Sequence, residues 1–454
     1  MKVNWFKPRG FLFALVPLLF LMPAGKAAEV PVVYYKLDNG LKVVLSQDKT
    51  APLITVGVYY HIGFRNEPRN RTGFAHLFEH MMFQGSQNLG KMEFIQLVEK
   101  NGGVLNGSTR FDFTNYFEVM PSNKLETALW AEADRMRGLA VNQENLVNQQ
   151  GVVKNEVKVN VLNQPYGGFP WLDMPQYAND NWYNAHNFYG DLADLDSAKL
   201  EDVEQFFKTF YAPNNAVIVV VGDFEVNDAK KWVQQYFANI PAAQLPPKPD
   251  LAEPRQEKEK RFVKEDKLAN KPAIAVGYKM PPRNTPEYFA MGLIDDILVR
   301  GNDSKLYQQL VQEKGYTSYV GGGINYQLGN MYDYDGPMLW ISDLVYDSTV
   351  SADSILAVYD KAIGELESVT QADLNLALIK KRSQLYDEIG GFYGIGRVNL
   401  LACYALFNDD PALINKLEES FKKVTPELIR KTAKEYLRSS NRTVIIVDPK
   451  APKS

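Results

Sequence analysis

Cysteine is almost absent from this sequence, because Cys403 is the only one among its 454 residues. A single cysteine cannot form a disulfide within the chain, so stability must come from burial of apolar side chains. No run of residues after position 28 is long and apolar enough for a transmembrane helix. Hydrophobic residues make up 45% and charged residues 23%, which disfavours a disordered or fibrous protein. The length favours two or three domains.

The first 28 residues differ from the rest of the chain. Three basic residues precede an apolar run over residues 11–22, and small residues dominate 24–28. This order is typical of a secretory signal peptide, and the apolar run is too short to cross a bilayer comfortably. We therefore predict a signal peptide at 1–27, cleaved after Ala27. An uncleaved amphipathic anchor is the alternative, but no polar face interrupts the apolar run.

Cleavage would make the chain more acidic. Residues 1–27 contain four basic and no acidic side chains, so their removal lowers the formal net charge from −4 to −8. An acidic chain disfavours nucleic acid and anionic membranes as partners. We expect no stable membrane anchor after cleavage, and we predict a location in the periplasm of a Gram-negative bacterium.

The remaining sequence contains two related halves. A segment rich in proline and charge separates them, which predicts a first domain at 28–240, a linker at 241–265 and a second domain at 266–454. In both halves a predicted helix is followed by an asparagine and then a Val- or Ile-rich strand. Asn215 and Asn441 hold this position.

The beginnings of the halves also correspond. Residues 54–60 alternate apolar side chains as a half-buried strand does, and residues 274–278 repeat this pattern. The order of strands and helices predicts an α+β fold with two homologous domains, each a largely antiparallel sheet packed with helices. The helix predicted at 287–299 in the second half contains Asp295 and Asp296 but no histidine. Only the first half can therefore carry a histidine metal site.

The chemistry is concentrated in one short segment of the first half. The chain has four histidines, and two of them, His76 and His80, stand with Glu79 in an H-x-x-E-H motif. On a helix, residues four apart share one face, so both imidazoles can reach one cation. Two imidazoles suit zinc, and a neighbouring carboxylate can accept a proton from a zinc-bound water. The alternative is a buried helix whose histidines serve only the core.

A catalytic zinc ion usually takes a third protein ligand. Residues 144–161 are predicted to form a helix that contains Glu156, which could pack against the helix of the motif. Spacing alone does not distinguish Glu156 from Glu132 on the preceding helix.

Several ordered motifs resemble the inverted-zincin peptidases of the pitrilysin and mitochondrial processing peptidase type. The resemblance covers nearly the whole chain after the signal peptide, and its motifs lie at residues 71–86, 102–109, 114–116, 152–156, 165–167 and 211–215. The resemblance implies a processing-peptidase-like fold and a zinc-dependent endopeptidase that acts on peptides or unfolded polypeptides. It further implies one zinc ion per chain.

The resemblance also assigns roles to residues. His76, His80 and Glu156 correspond to the zinc ligands, which favours Glu156 over Glu132, and Glu79 corresponds to the general base. The implied substrate-binding strand consists of Val104, Leu105, Asn106, Gly107, Ser108 and Thr109. A peptide added to a sheet edge is held through its backbone, so its sequence can vary.

One motif departs from the family pattern. Complete members carry an arginine and a tyrosine in a half without zinc, where they hold the substrate carbonyl, but the matching positions here are Val311 and Ser318. Tyr319 is one residue away, and on a strand this shift would turn its side chain to the other face. We therefore predict a heterodimer with a homologous subunit that supplies the Arg/Tyr pair. The alternatives are a self-sufficient homodimer and a scaffold or chaperone-like subunit without activity.

Overall fold

The computed structural model describes residues 29–449. The predicted signal peptide at 1–27, with its cleavage after Ala27, lies outside these residues. None of the helices between residues 29 and 449 is both long and apolar enough to cross a membrane.

The first half of the chain forms a six-stranded sheet. Its strands are β1 (Val33–Lys36), β2 (Lys42–Gln47), β3 (Leu53–Tyr60), β4 (Val104–Thr109), β5 (Thr114–Pro121) and β6 (Ala216–Gly222). They lie in the order β1-β2-β6-β3-β5-β4, and only β2 and β6 are parallel neighbours. Strand β4 is therefore at an edge of the sheet.

The second half forms a five-stranded sheet of the same design. Its strands are β7 (Lys260–Asp266), β8 (Ala273–Lys279), β9 (Gly321–Ile324), β10 (Leu339–Val345) and β11 (Arg442–Pro449). Their order, β7-β11-β8-β10-β9, with a parallel β7–β11 pair, repeats β2-β6-β3-β5-β4 of the first sheet. Strand β7 begins at Lys260, so the end of the segment 241–265 is part of this sheet rather than a free connection.

The internal repeat extends to the register of the strands. Tyr60 pairs with Ala216 and Tyr278 pairs with Arg442, which are the residues directly after Asn215 and Asn441. Both asparagines use Nδ2 in the same way, because Asn215 donates to the carbonyl of Phe210 at 2.9 Å and Asn441 donates to that of Tyr436 at 2.7 Å. Each side chain thus joins the end of a helix to the start of a strand, and the predicted α+β fold of two homologous halves is confirmed.

Fifteen helices accompany the sheets within residues 29–449. Those of the first half are α1 (Phe74–Met81), α2 (Glu93–Lys100), α3 (Leu125–Arg137), α4 (Gln143–Val157), α5 (Asp173–Ala178), α6 (Trp182–Ala185), α7 (Leu192–Ser197), α8 (Leu200–Phe210) and α9 (Val226–Phe237). Those of the second half are α10 (Pro286–Leu298), α11 (Ala352–Gly364), α12 (Gln371–Gly390), α13 (Ile395–Asn408), α14 (Leu417–Lys422) and α15 (Pro426–Tyr436).

Each half lends one helix to the sheet of the other half. Helix α13 of the second half packs on β2, β3 and β6, where Gly57 lies against Val398 so closely that a Cβ would meet its Cγ1 at 2.6 Å. In return, Met174 of α5 packs against Gly277 of the second sheet. The two halves therefore depend on each other for part of their cores.

Our prediction of a half-buried strand at 54–60 is wrong, because helix α13 covers the second face of β3. Val56, Val58 and Tyr60 do face the core on the α1 side, but the alternate residues of β3 are buried as well. On that second face the Tyr59 hydroxyl donates to Asn399 Oδ1 of α13 at 3.2 Å. The strand is covered on both faces because its second cover comes from a distant part of the chain.

Candidate metal centre

The residue before helix α1 has no side chain that could cap the first N–H groups of the helix. Gly73 precedes the helix in a left-handed conformation with φ of 82°, and it offers no cap. Glu67 supplies one from outside, since its carboxylate accepts hydrogen bonds from the Gly73 N–H at 2.9 Å and the Ala75 N–H at 2.7 Å. A carboxylate at this end also complements the helix dipole. Glu67 therefore fixes the start of the helix that carries the H-x-x-E-H motif.

The segment around Tyr189 packs directly on this helix start. A Cβ on Gly73 would collide with the Tyr189 carbonyl oxygen, and a Cβ on Gly190 would collide with the Gly73 backbone. Both positions have positive φ, so glycine serves the conformation and the close approach together. This approach brings the rings of Phe188 and Tyr189 against His76, with ring centroids 4.4 and 5.2 Å apart.

Three donor atoms converge between α1 and α4. The Nε2 atoms of His76 and His80 are 3.3 Å apart, and Glu156 Oε2 lies 3.7 Å from the first and 3.3 Å from the second. A tetrahedral zinc ion with bonds of about 2.0–2.1 Å holds its ligand atoms about 3.3–3.4 Å apart. The donor set and its spacing therefore fit one zinc ion with an open fourth position. Among residues 29–449, His76, His80 and Glu156 form the group of potential metal ligands whose donor atoms all lie within 4.8 Å of one another.

Burial prepares the group for a cation. Burial of the His76 ring and, to a smaller extent, the neighbouring His80 lower the pKa of His76 to about 3, so its ring is neutral near pH 7. Burial alone would raise the pKa of Glu156, but the hydrogen bond with His80 and the nearby His76 lower it overall. Neutral imidazoles and an ionised carboxylate are the forms that bind zinc.

Glu79 lies beside these donors on the same helix. Burial raises the pKa of its carboxyl group, and the Thr109 hydroxyl donates a hydrogen bond of 2.8 Å to Oε2. Thr109 belongs to the strand that the resemblance assigns to substrate binding, and its side chain is buried against Glu79, where it holds that carboxylate. A raised pKa makes a carboxylate a better proton acceptor, as a general base requires.

Residues outside the H-x-x-E-H motif also contribute to the candidate metal centre. The Tyr189 hydroxyl donates to Glu156 Oε1 at 3.0 Å and leaves Oε2 for the cation. His186 lies 3.5 Å from Glu67, and this carboxylate outweighs the effect of burial and raises the pKa of His186. Sequence reasoning missed Glu67, His186, Phe188 and Tyr189. The three ring side chains among residues 186–189 were a visible signal, but their spacing is not that of metal ligands.

Removal of the Tyr189 hydroxyl tests its role. We expect Tyr189→Phe to weaken zinc binding about tenfold, because partners that orient a ligand typically contribute 10- to 100-fold to metal affinity. Competition between the protein and a chromogenic chelator measures this change. Tyr236→Phe is a matched control, since Tyr236 donates a similar bond of 2.9 Å to Glu126 on the surface. Equal zinc affinities of the two variants would exclude the role.

The rival ligand Glu132 does not reach the centre. It is fully buried in α3 and forms an ion pair with Arg135 of the same helix. In the second half, helices α10 and α12 hold the places that α1 and α4 hold in the first half. They are joined by an ion pair, because Asp296 of α10 lies 3.0 Å from Lys381 of α12. A cation of the chain itself thus stands between α10 and α12.

Helix α4 ends just after Glu156. It is followed by a wider π-helical turn at Lys158–Leu162, so the predicted helix at 144–161 is confirmed with a change of winding. Wider turns of this kind are frequent at functional sites. The change begins two residues after the third donor.

Strand β4 runs beside α1 at the sheet edge. Gly107 is so close to the helix that a Cβ there would meet Glu79 Cγ at 3.3 Å. Among the described strands, β4 pairs only with β5, so its other edge is open for backbone hydrogen bonds. Val104, Leu105, Asn106, Gly107 and Ser108 therefore line an edge that passes the candidate metal centre.

The segment that lacks the Arg/Tyr pair is not a strand. Val311 lies in a π-helical turn at Tyr307–Glu313, and β9 begins only at Gly321. Our argument that Tyr319 faces the other side of a strand is therefore wrong. Tyr319 is 63% exposed, and its backbone N–H bonds to Thr317 Oγ1 at 3.3 Å.

Two models of one peptidase family match successive parts of the chain. The model described as "Insulinase (Peptidase family M16)" matches residues 42–179, and the model described as "Peptidase M16 inactive domain" matches residues 197–381. Together they cover most of the chain, with one match after the other along the sequence. The second match begins before β6, which belongs to the first sheet, so the boundary between the matches precedes the boundary between the two sheets.

Individual relatives match over similar lengths. The "Zinc protease PqqE" of Helicobacter pylori is 26% identical over 420 residues, which cover 91% of this chain and 92% of that protein. A probable mitochondrial-processing peptidase subunit beta of Arabidopsis thaliana is 24% identical over 207 residues, 45% of this chain and 38% of that one.

Solved structures share the fold. The crystal structure of a protease from Helicobacter pylori matches with a TM-score of 0.85 and 24% identity, over 92% of this chain and all of that chain. A structure from Pseudomonas fluorescens, described as a peptidase M16 inactive domain, matches with a TM-score of 0.81 and 18% identity, over 94% and 99% of the two chains. The predicted processing-peptidase-like fold is confirmed.

Proposed function

The chain belongs to the M16 family of peptidases, and from this membership we propose that it is a zinc-dependent endopeptidase. We propose His76, His80 and Glu156 as the ligands of one zinc ion per chain and Glu79 as the general base. The proposed substrates are peptides or unfolded polypeptides that lie extended on β4. The observation that carries the proposal is the convergence of the three donor atoms at 3.3–3.7 Å beside Glu79.

The side chains divide the chemistry among them. A zinc ion held by the three donors would polarise the substrate carbonyl and lower the pKa of a bound water. Glu79 would take the proton from the attacking water and pass it to the leaving amine. Thr109 holds the Glu79 carboxylate in place, and Tyr189 holds that of Glu156. The open edge of β4 would align the peptide backbone through hydrogen bonds.

We further propose that the chain is the zinc-bearing subunit of a heterodimer. The positions of the family's Arg/Tyr pair are Val311, an apolar side chain, and Ser318, so the donors to the substrate carbonyl must come from elsewhere. In addition, Val152, Val159 and Leu162 are exposed on α4 and the turn after it, next to Glu156 in sequence. These side chains are candidate contacts for the proposed partner.

Reconstitution tests this arrangement. We expect the purified chain with zinc to be about a hundred- to a thousandfold less active than the complex, because one missing oxyanion donor costs about that much. The partner to add is a homologous chain with arginine and tyrosine at the positions of Val311 and Ser318. The control is the same partner with its arginine replaced by alanine, which should restore little activity.

Full activity of the chain alone, with no increase on addition of the partner, would contradict the heterodimer. It would favour the alternative of a self-sufficient homodimer. A scaffold or chaperone-like subunit is the other alternative, and the intact set of His76, Glu79, His80 and Glu156 disfavours it.

The proposed location is the periplasm, after removal of residues 1–27. A structural relative from Escherichia coli is described as the periplasmic protease PqqL. The predicted signal peptide supports the same compartment for this chain. We keep the proposed domains 28–240 and 266–454 with a linker at 241–265, with the change that β7 makes residues 260–265 part of the second sheet.

A further inference from the structure

A groove runs along the face of the first sheet that is turned away from α1. It has a volume of about 430 Å³, and β4 and β5 form one wall through Ser108, Asn115 and Phe117. The other wall belongs to the second half of the chain, where the end of α12, the start of α13 and the corner between them close over the sheet.

The groove adjoins the strand on which a substrate would lie. Thr109 points to the α1 side of β4, where it bonds to Glu79, so Ser108 points to the groove side, where it donates to Asn115 Oδ1 at 2.5 Å. Side chains alternate between the two faces of a sheet. A peptide added to the edge of β4 would therefore place every second side chain on the face that leads to the groove.

The charge of the groove is predominantly negative. Asp333, Asp387 and Glu388 line it, and Arg110 is the only basic residue on its walls among the described residues. Asp333 already accepts hydrogen bonds from Asn399 Nδ2 at 2.6 Å and from the Asn330 N–H at 3.1 Å.

Asp387 and Glu388 have no such partners within residues 29–449. Neither carboxylate forms a hydrogen bond or an ion pair there, although basic residues are close in the sequence. Lys381 pairs instead with Asp296 at 3.0 Å, and Arg397 pairs with Asp48 at 2.9 Å. The two carboxylates are therefore available to a ligand.

The corner between α12 and α13 adds an aromatic surface. Phe392 and Tyr393 line the groove and are 73% and 51% exposed, which is unusual for such large side chains. Their rings contact each other at 5.2 Å between centroids. The corner is fixed to the sheet, because the Thr55 hydroxyl donates to the Tyr393 carbonyl. Carboxylates next to aromatic faces are suited to an alkyl-chain cation.

We propose that this groove is a specificity subsite that takes a lysine or arginine side chain of the peptide bound on β4. The cation would meet Glu388 and Asp387, and its alkyl chain would lie on Phe392 and Tyr393. This inference rests on the proposed function, because it assumes that the peptide lies on β4. In this proposal, residues of the second half of the chain, which lacks the metal motif, determine which substrates are preferred.

Peptide binding to the zinc-loaded Glu79→Gln chain tests the subsite without turnover. The probes are fluorescently labelled nonapeptides of neutral sequence with a single arginine moved through the positions, and the same peptides with glutamine in its place. We expect arginine at one position to bind about tenfold more tightly than glutamine, since a hydrogen bond to a charged group contributes about that much. The preference should decrease with added salt.

Addition of Glu388→Gln should remove the preference and leave the binding of the glutamine peptide unchanged. Glu367→Gln is the matched control, because Glu367 is exposed and lies in the turn before α12, outside the groove. Binding without any preference for arginine, or a preference that survives Glu388→Gln with Asp387→Asn, would overturn the subsite while the proposed function stands. Absence of binding by every peptide would overturn peptide binding on β4 and the subsite with it.

Discussion

Replacement of Glu79 by glutamine is expected to abolish peptide hydrolysis and to leave zinc bound. Glutamine keeps the size of the side chain and can still accept the hydrogen bond from Thr109, but it cannot take a proton from water. A general base contributes about 10²- to 10⁴-fold to the rate, so we expect kcat to fall by about a thousandfold or more. The measurement pairs kcat of the reconstituted complex with the zinc content of the purified variant.

The control for this variant is Glu99→Gln. Glu99 is an exposed residue of α2, so its replacement makes the same change of charge away from the centre. Both variants should contain as much zinc as the unmodified chain. If Glu79→Gln kept its activity, Glu79 would not be the base, and if neither protein had activity with any partner, the scaffold alternative would gain support.

Loss of the proposed ligand His80 should lower the affinity for zinc by a factor similar to the loss of kcat in Glu79→Gln. We expect His80→Ala to weaken zinc binding by about 10²- to 10⁴-fold, because zinc sites of about 10–16 kcal/mol, divided over their ligands, give roughly 3–5 kcal/mol each. His80 is the ligand of choice because its side chain is partly exposed, whereas that of His76 is buried in the core. Competitive titration with a chelator measures the affinity.

His61→Gln is the matched control for the loss of a histidine. His61 is outside the group of donor atoms, and its ring contacts Phe407 at 5.5 Å between centroids. This variant should retain its zinc even if its thermal stability falls. Retention of zinc with unchanged affinity in His80→Ala would show that the ion is held elsewhere.

Local patterns predicted the motif helix and the repeat because their causes are local. The spacing of His76 and His80 determines a shared face as soon as a helix forms, and the helix is observed at Phe74–Met81. Asn215 and Asn441 could be matched because each acts within a few residues of its own position.

Features that depend on distant segments could not be predicted in this way. The second face of β3 is covered by α13, more than 330 residues further along the chain, so the pattern of residues 54–60 gave no sign of it. Tyr189 supports Glu156 only because Gly73 and Gly190 allow two segments to touch. The role of Thr109 required knowledge of which face of β4 is turned to α1. In each case the missing information was tertiary contact rather than propensity.

The most direct test of the metal site is an anomalous difference map at the zinc edge from crystals of the chain grown with zinc. The account predicts one strong peak per chain, about 2.0–2.1 Å from Nε2 of His76, Nε2 of His80 and one carboxylate oxygen of Glu156. A peak at another group of residues, or a zinc ion at His76 and His80 without Glu156, would contradict it.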